Sequence, residues 1–239
     1  MPAAERLSAA ADMVILPSVP VDDSISSRHR SSMRSTQAVR EKYEAMAPQF
    51  DRLEAPAEWL GLRSLRRGLF GRARGAVLEV AIGTGRNIPL YNERVERLTG
   101  IDLSPAMLEV ARERAGRARF AVDLLEGAAE SLPFQAATFD TVTSSLSTCT
   151  FADPVRALRE MARVARPGGA ILLLEHGRSG SRWLARFQDW RAEAHAKTLG
   201  CRWNQEPLEH VRDAGLRLVR ARRVFFGVFH VMEIAAGEP

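Results

Sequence analysis

The chain has 239 residues, 46% of them apolar, which suits one α/β domain around a single core and requires no second domain. Its two cysteines, Cys149 and Cys201, show neither a chelating spacing nor a disulfide framework, so no metal site is expected, and no run approaches the roughly twenty apolar residues of a membrane span. The net charge of +5 comes almost wholly from arginine, lysine occurring only at Lys42 and Lys197, and no aromatics interleave with the basic runs as an RNA surface requires, which argues against nucleic-acid partners.

Residues 1–35 read as a disordered leader, since 24–35 are nearly all Ser, Arg, His and Met. They lack the apolar core of a signal peptide, which makes the cytoplasm the default compartment. Residues 36–75 read as N-terminal helices. Within them Leu62, Leu65 and Leu69 stand at helical spacing with arginines between, the pattern of an interfacial helix or of one covering a cleft, although Gly61, Gly68 and Gly71 weaken it. Peripheral membrane contact is therefore left open. Residues 76–236 read as the domain proper.

The domain begins with an apolar, branched run at residues 77–80, the pattern of a buried strand, followed by the turn Ala81, Ile82, Gly83, Thr84, Gly85, after which a helix is expected to open. A second apolar strand ends in Asp102. Such a pair presents backbone N–H groups to one end of a nucleoside while the carboxylate accepts from its ribose diol. A dinucleotide fingerprint needs a third glycine where Ile88 stands, and a phosphate-cradling loop needs a lysine that is absent. Next, Ser104 is a plausible N-cap with Pro105 at the first position of a helix.

The spacing Glu79-x-Ala81-x-Gly83-x-Gly85 resembles the first motif of the class I S-adenosylmethionine-dependent methyltransferases, and the later segments follow in the family's order over roughly residues 40–236. The resemblance implies an α/β, doubly wound, seven-stranded, mostly parallel sheet, with the last strand, near residues 224–234, antiparallel. For residues 125–134 it implies a loop after the third strand, for 139–145 the fourth strand, and for 158–175 a helix, a Pro-Gly-Gly turn and the fifth strand. It implies S-adenosylmethionine as cofactor, a lid at residues 43–51, and cofactor contacts from Tyr43, Glu79, Ala81, Gly83, Gly85, Asp102, Leu103, Met107, Ala128, Ala129 and Ser144. Two departures stand out. Ala81 replaces the first glycine of the turn, and Ala128 stands where many relatives carry an Asp for the adenine amino group.

Residues 144–154 are expected to line the reaction centre, because open parallel sheets bind ligands beyond the carboxyl ends of their strands. Methyl transfer needs no protein nucleophile, so Cys149 reads as a packed thiol. His176, closing the fifth strand, has the best claim to general-base work. Residues 145–151, Leu174 to His176 and residues 199–204 resemble microsomal thiol S-methyltransferases, and the same middle segments also resemble bacterial phosphatidylethanolamine N-methyltransferases. The expected acceptor is a small-molecule or lipid nucleophile, a thiol by a narrow margin. Phospholipid N-methylation, quinone-precursor C-methylation and a non-catalytic cofactor-binding regulator are the alternatives, and no obligate protein partner is evident.

Overall fold

The computed structural model describes residues 27–237, with side chains from residue 36 onward. Seven strands form one sheet in the order β3-β2-β1-β4-β5-β7-β6. They are β1 (Gly75–Val80), β2 (Val95–Asp102), β3 (Ala121–Glu126), β4 (Phe139–Ser145), β5 (Ala165–His176), β6 (Leu218–Val224) and β7 (Phe229–Ala235). Strands β1 to β5 pair in parallel, and β7 runs antiparallel to both β5 and β6. The helices are α1 (Ser27–Met46), α2 (Phe50–Ala57), α3 (Arg63–Phe70), α4 (Pro105–Ala115), α5 (Pro154–Val164), α6 (Arg182–Leu199) and α7 (Pro207–Asp213). The doubly wound, mostly parallel sheet implied by the motifs is the fold observed. The expected final strand divides in two: Val224 ends β6, and a hairpin at residues 225–228 leads into β7.

In the middle of the sheet β1 and the second half of β5 read as nearly continuous apolar runs because both faces are covered there. Consecutive side chains of β5 go to opposite cores: Ile171 and Leu173 pack with Leu158, Met161 and Val164 of α5, whereas Leu172 and Leu174 pack with Leu69 and Phe70 of α3. In β1, Val77 faces the α3 side, and Leu78 and Val80 the α5 side. Among the described residues no helix is long and apolar enough to cross a membrane.

Two sequence expectations are corrected, and one pair of alternatives is decided. Of the expected leader, residues 1–26 lie outside the described residues, but residues 27–35 are helical, forming the start of α1. No glycine or proline interrupts that segment, so a helix begun in residues 36–46 extends backward at little cost. The helix expected after the glycine turn is a single 3-10 turn at Ile88–Leu90. Pro89 denies that segment an interior helical N–H, and β2 begins at Val95, too soon for a full helix. Finally, the leucine stripe of α3 points inward, Leu62 and Leu69 being only 3% and 2% exposed, so it covers the sheet and is not an interfacial face.

The N-terminal helices lie over the carboxyl ends of the strands. Lys42 of α1 donates from Nζ to the Ala196 and Lys197 carbonyls at 3.1 and 2.5 Å, capping the last turn of α6. Between α2 and α3 the chain makes a π-type turn at Glu58–Leu62, in which Gly61 takes φ +124°, a conformation open to glycine alone.

The α5-side core is sensitive to truncation at Phe139, which is fully buried and meets Phe134 edge-on with centroids 5.1 Å apart. Phe139→Ala is expected to cost about 3–5 kcal/mol. For a chain of this size that lowers the thermal midpoint by roughly 6–20 °C, read by calorimetry.

Candidate active site

A cleft of about 990 Å³, its open mouth included, runs along the carboxyl ends of β1, β2 and β4 beneath α1, α2 and α3. Its floor is the glycine turn. Ala81, Gly83 and Gly85 all have positive φ, at 54°, 57° and 73°, and Ala81 bears the strain that a glycine there would avoid. Gly83 N donates to Asp102 Oδ2 at 2.8 Å and Ser104 N donates to Oδ1 at 2.9 Å, locking the carboxylate between the tips of β1 and β2. Burial raises the Asp102 pKa, and the backbone bonds from Ser104 and Gly83 oppose the rise.

The residues present fit an S-adenosyl cofactor. A Cβ built on Gly83 meets nothing within 4 Å, so the turn presents bare backbone to open cleft space. With backbone donors from Gly83, Ser104 and Leu103, the Asp102 carboxylate still has acceptor capacity left for a ribose hydroxyl. Leu103, Met107 and Ala129 offer apolar walls for a purine. Ser104 Oγ accepts from Met107 N at 3.3 Å, the N-cap that fixes the start of α4 against this wall.

A buried polar network holds the lid on the turn. The Arg66 guanidinium of α3, 4% exposed, donates to Glu58 Oε1 at 2.8 Å, to Asn87 Oδ1 at 3.2 Å and to Ser145 Oγ at 2.5 Å. Asn87 Nδ2 donates to Glu79 Oε1 at 2.7 Å, and the Tyr91 hydroxyl donates to Glu79 Oε2 at 2.9 Å. Asp51 of α2 accepts from Thr84 Oγ1 and from Arg86, each at 2.8 Å, and from Arg114 of α4. Desolvation works to raise the Asp51 pKa, but the bonds from Arg114 and Thr84 and the charge of Arg86 win, and it falls.

Of the residues implicated by sequence, Tyr43, Ala81, Gly83, Asp102, Leu103, Met107 and Ala129 line the cleft. The structure places Glu79, Gly85, Ala128, Ser144 and His176 off its wall. Glu79 is committed to Asn87 and Tyr91, and Ser144 Oγ donates to the Val80 carbonyl at 2.8 Å. Gly85 packs against α4: a Cβ there falls 2.7 Å from Ile88 Cδ1 and 3.1 Å from Ala111 Cβ. Ala128 sits beside the wall formed by Gly127 and Ala129 without joining it. Ser145, Leu146, Ser147, Thr150 and Phe151 of the expected run 144–154 line the cleft as well, whereas Arg66 and Asn87 line it and were missed. Asn87, next to the glycine turn, was the one with a usable signal.

His176 lies off the cleft, next to the cysteines that follow β4 and α6. Its Nε2 is 3.1 Å from Cys201 Sγ, whose sulfur is 3.0 Å from that of Cys149. Hydrogen bonding to Cys149 pulls the Cys201 pKa down and pushes that of Cys149 up. Desolvation opposes protonation of His176 most strongly, but the Cys201 contact, the charge of Glu175 and the Trp203 backbone together outweigh it and the pKa rises. The neighbouring Glu175 accepts from Ser147 N at 3.1 Å and Thr148 N at 3.2 Å, and burial pushes it to about 7. In the same loop Leu146 lines the cleft with φ +54°, strain of the kind that gathers at functional sites.

Burial also raises Glu79 from 4.5 to about 7, against the bonds from Asn87 and Tyr91. Between those pH values the folded chain holds a proton the unfolded chain has released, so this group makes stability fall as pH rises, by up to about 1.4 kcal/mol per unit. Glu79→Gln is expected to flatten the decline between about pH 5 and about pH 7, leaving the share of Glu175, as measured by urea unfolding across that range.

Residues 78–173 match the family described as a methyltransferase domain. The chain is 33% identical over 206 residues to the mitochondrial methyltransferase OMS1 of Saccharomyces cerevisiae, covering 77% of this chain and 43% of that one. It is 38% identical over 146 residues to a demethylmenaquinone methyltransferase of Deinococcus radiodurans (58% and 60% covered) and 41% over 104 residues to a phosphatidylethanolamine N-methyltransferase of Cereibacter sphaeroides (43% and 51%). The chain thus spans about half the length of these curated relatives. A solved SAM-dependent methyltransferase from Thermotoga maritima shares the fold at TM-score 0.64 and 24% identity, covering 82% of this chain and 99% of that one. With the seven-stranded order, the glycine turn closed on Asp102 and these relatives in agreement, the chain carries a methyltransferase domain over residues 78–173 and has the fold of the class I S-adenosylmethionine-dependent methyltransferases.

Proposed function

We propose that the protein transfers the methyl group of S-adenosylmethionine to an amphiphilic, lipid-like acceptor at a membrane surface. The observation that carries the transfer is the turn backbone locked on Asp102 and open to the cleft at Gly83. Bound S-adenosylmethionine supplies an electrophilic methyl sulfonium. The chain's share is to hold the ribose at Asp102, cover the cleft with Tyr43 and Phe50, and present the acceptor along residues 145–151, so that proximity and exclusion of water drive an in-line displacement.

The acceptor class rests on the exposed surface. On α6, Trp183, Phe187 and Trp190 fall at i, i+4 and i+7, and the two tryptophans are 78% and 74% exposed. Arg182, Arg186 and Arg191 flank them. The Phe226 carbonyl of the β6–β7 hairpin accepts from Ser179 Oγ and Gly180 N just before α6, while Phe225 lies against Gly61 in the α2–α3 turn, which exposes Trp59 and Leu60. Exposed tryptophans among arginines suit the boundary between lipid headgroups and acyl chains. Phosphatidylethanolamine and demethylmenaquinone, the acceptors in two relatives' names, are amphiphiles of this kind. The thiol acceptor has less support, because His176, its expected base, is engaged with Cys201 off the cleft wall.

Asp102→Asn is expected to weaken S-adenosylmethionine binding about tenfold to a hundredfold, the equivalent of a charge-assisted hydrogen bond of roughly 1.5–3 kcal/mol. Isothermal titration on the folded variant checks this, and an unchanged dissociation constant would remove the ribose assignment.

Vesicles containing anionic phospholipid are expected to sediment the protein at low salt and release part of it at high salt. Trp183→Ser with Trp190→Ser should cut partitioning roughly tenfold or more per residue. Equal partitioning of wild type and variant would place the acceptor in solution.

A further inference from the structure

Three metal-ligand side chains from distant parts of the chain converge off the cleft. Cys149 lies in the short turn after β4, Cys201 follows the Gly200 cap of α6, and His176 ends β5. Their ligand atoms all lie within 4.8 Å of one another, and both thiols are free and buried. We propose that Cys149, His176 and Cys201 bind a divalent cation of the zinc class, with water in a fourth position. The inference concerns a different set of side chains from the cofactor cleft and stands or falls apart from methyl transfer.

The ligand chemistry favours a cation over the alternatives. Two thiolates and an imidazole are the donor set of open, three-ligand zinc sites. Bonds of about 2.3 Å to sulfur and about 2.0 Å to nitrogen set tetrahedral ligands roughly 3.3–3.8 Å apart. The Cys149–Cys201 and His176–Cys201 spacings of 3.0 and 3.1 Å reach that geometry when those donors part by less than about 1 Å, and the third pair, within 4.8 Å, reaches it by a shift on the order of 1 Å. A disulfide would use only the sulfurs and withdraw the thiol that faces His176 Nε2.

The backbone around the donors is already set. Arg202 N donates to the Cys149 carbonyl at 3.3 Å, joining the two cysteine segments independently of their sulfurs, and Gly200 with φ +71° turns the chain out of α6 to aim Cys201 inward. The Trp203 backbone hydrogen-bonds the His176 ring, the outer-shell contact that orients metal-binding imidazoles. On binding, each thiol gives its proton to solvent and both sulfurs coordinate as thiolates. The cation would then tie the loop after β4, the end of β5 and the end of α6 into one unit behind Tyr43.

The test uses the full chain, reduced and stripped of metal, titrated with zinc against a chromophoric chelator and separately with cobalt(II). The expected result is one equivalent of tightly bound metal and a thiolate-to-cobalt charge-transfer band in the near ultraviolet. Cys149→Ser and Cys201→Ser should each lose the band, and His176→Gln should weaken zinc by more than the roughly 10–100-fold that loss of an outer-shell contact costs. Retained S-adenosylmethionine binding identifies variants that still fold. Wild-type protein that takes up no stoichiometric metal after reduction, or a cobalt band that survives loss of both cysteines, overturns the site.

Discussion

The active-site architecture depends on one buried charge, the guanidinium of Arg66. A cation this far from water is stable only if each donor finds an acceptor, and here the acceptors come from three places at once: Glu58 from the lid, Asn87 from the end of the glycine turn and Ser145 from the tip of β4. Satisfying Arg66 therefore requires that lid, turn and strand tip be in register. The apolar side of α3 presses the lid onto the sheet without specifying a position along it. Glu79 extends the constraint inward, since its carboxylate orients Asn87 and Tyr91, and Tyr91 also shares a hydrogen bond with Thr143 of β4.

Strain at the cleft follows from the same arrangement. Ala81 and Leu146, both with φ of 54°, flank the place where β1 and β4 end. Ile82 N donates to the Ile101 carbonyl and Leu146 N to the Leu174 carbonyl, so the strained residues are pinned to adjacent strands. The sheet thus bears a local cost that keeps backbone groups pointed at the ligand.

What was legible in the sequence was local. The turn at residues 81–85, the acid at Asp102 and the Ser104-Pro105 helix start are each written within a few neighbouring positions, and the seven-stranded, mostly parallel sheet was implied by the resemblance those motifs carry. The missing helix after Gly85 was misread because the glycine pattern says where a turn lies and not how long the next element will be; Pro89 and the early start of β2 decided that. The α3 stripe and the α6 stripe carry the same 3.6-residue signal, yet one is covered by β5 and the other faces outward. Periodicity reports that a face is apolar and is silent on whether anything covers it. The meeting of Cys149, His176 and Cys201 was likewise invisible, since no spacing rule spans a sheet crossing and a whole helix.

Lys42 has a consequence for how the chain is made. Its acceptors at the end of α6 lie 154 and 155 residues downstream, and its bonds there are among the contacts that seat α1 over the cleft. At about 5–20 residues per second, a ribosome needs roughly 8–31 s to travel from one partner to the other. During that interval the glycine turn and Asp102 have left the ribosome without the completed cover. Closure of the cleft therefore comes only after the five parallel strands β1 to β5 have been made, and the interval in which those strands lack their cover is when a nascent chain is most open to a chaperone or a protease.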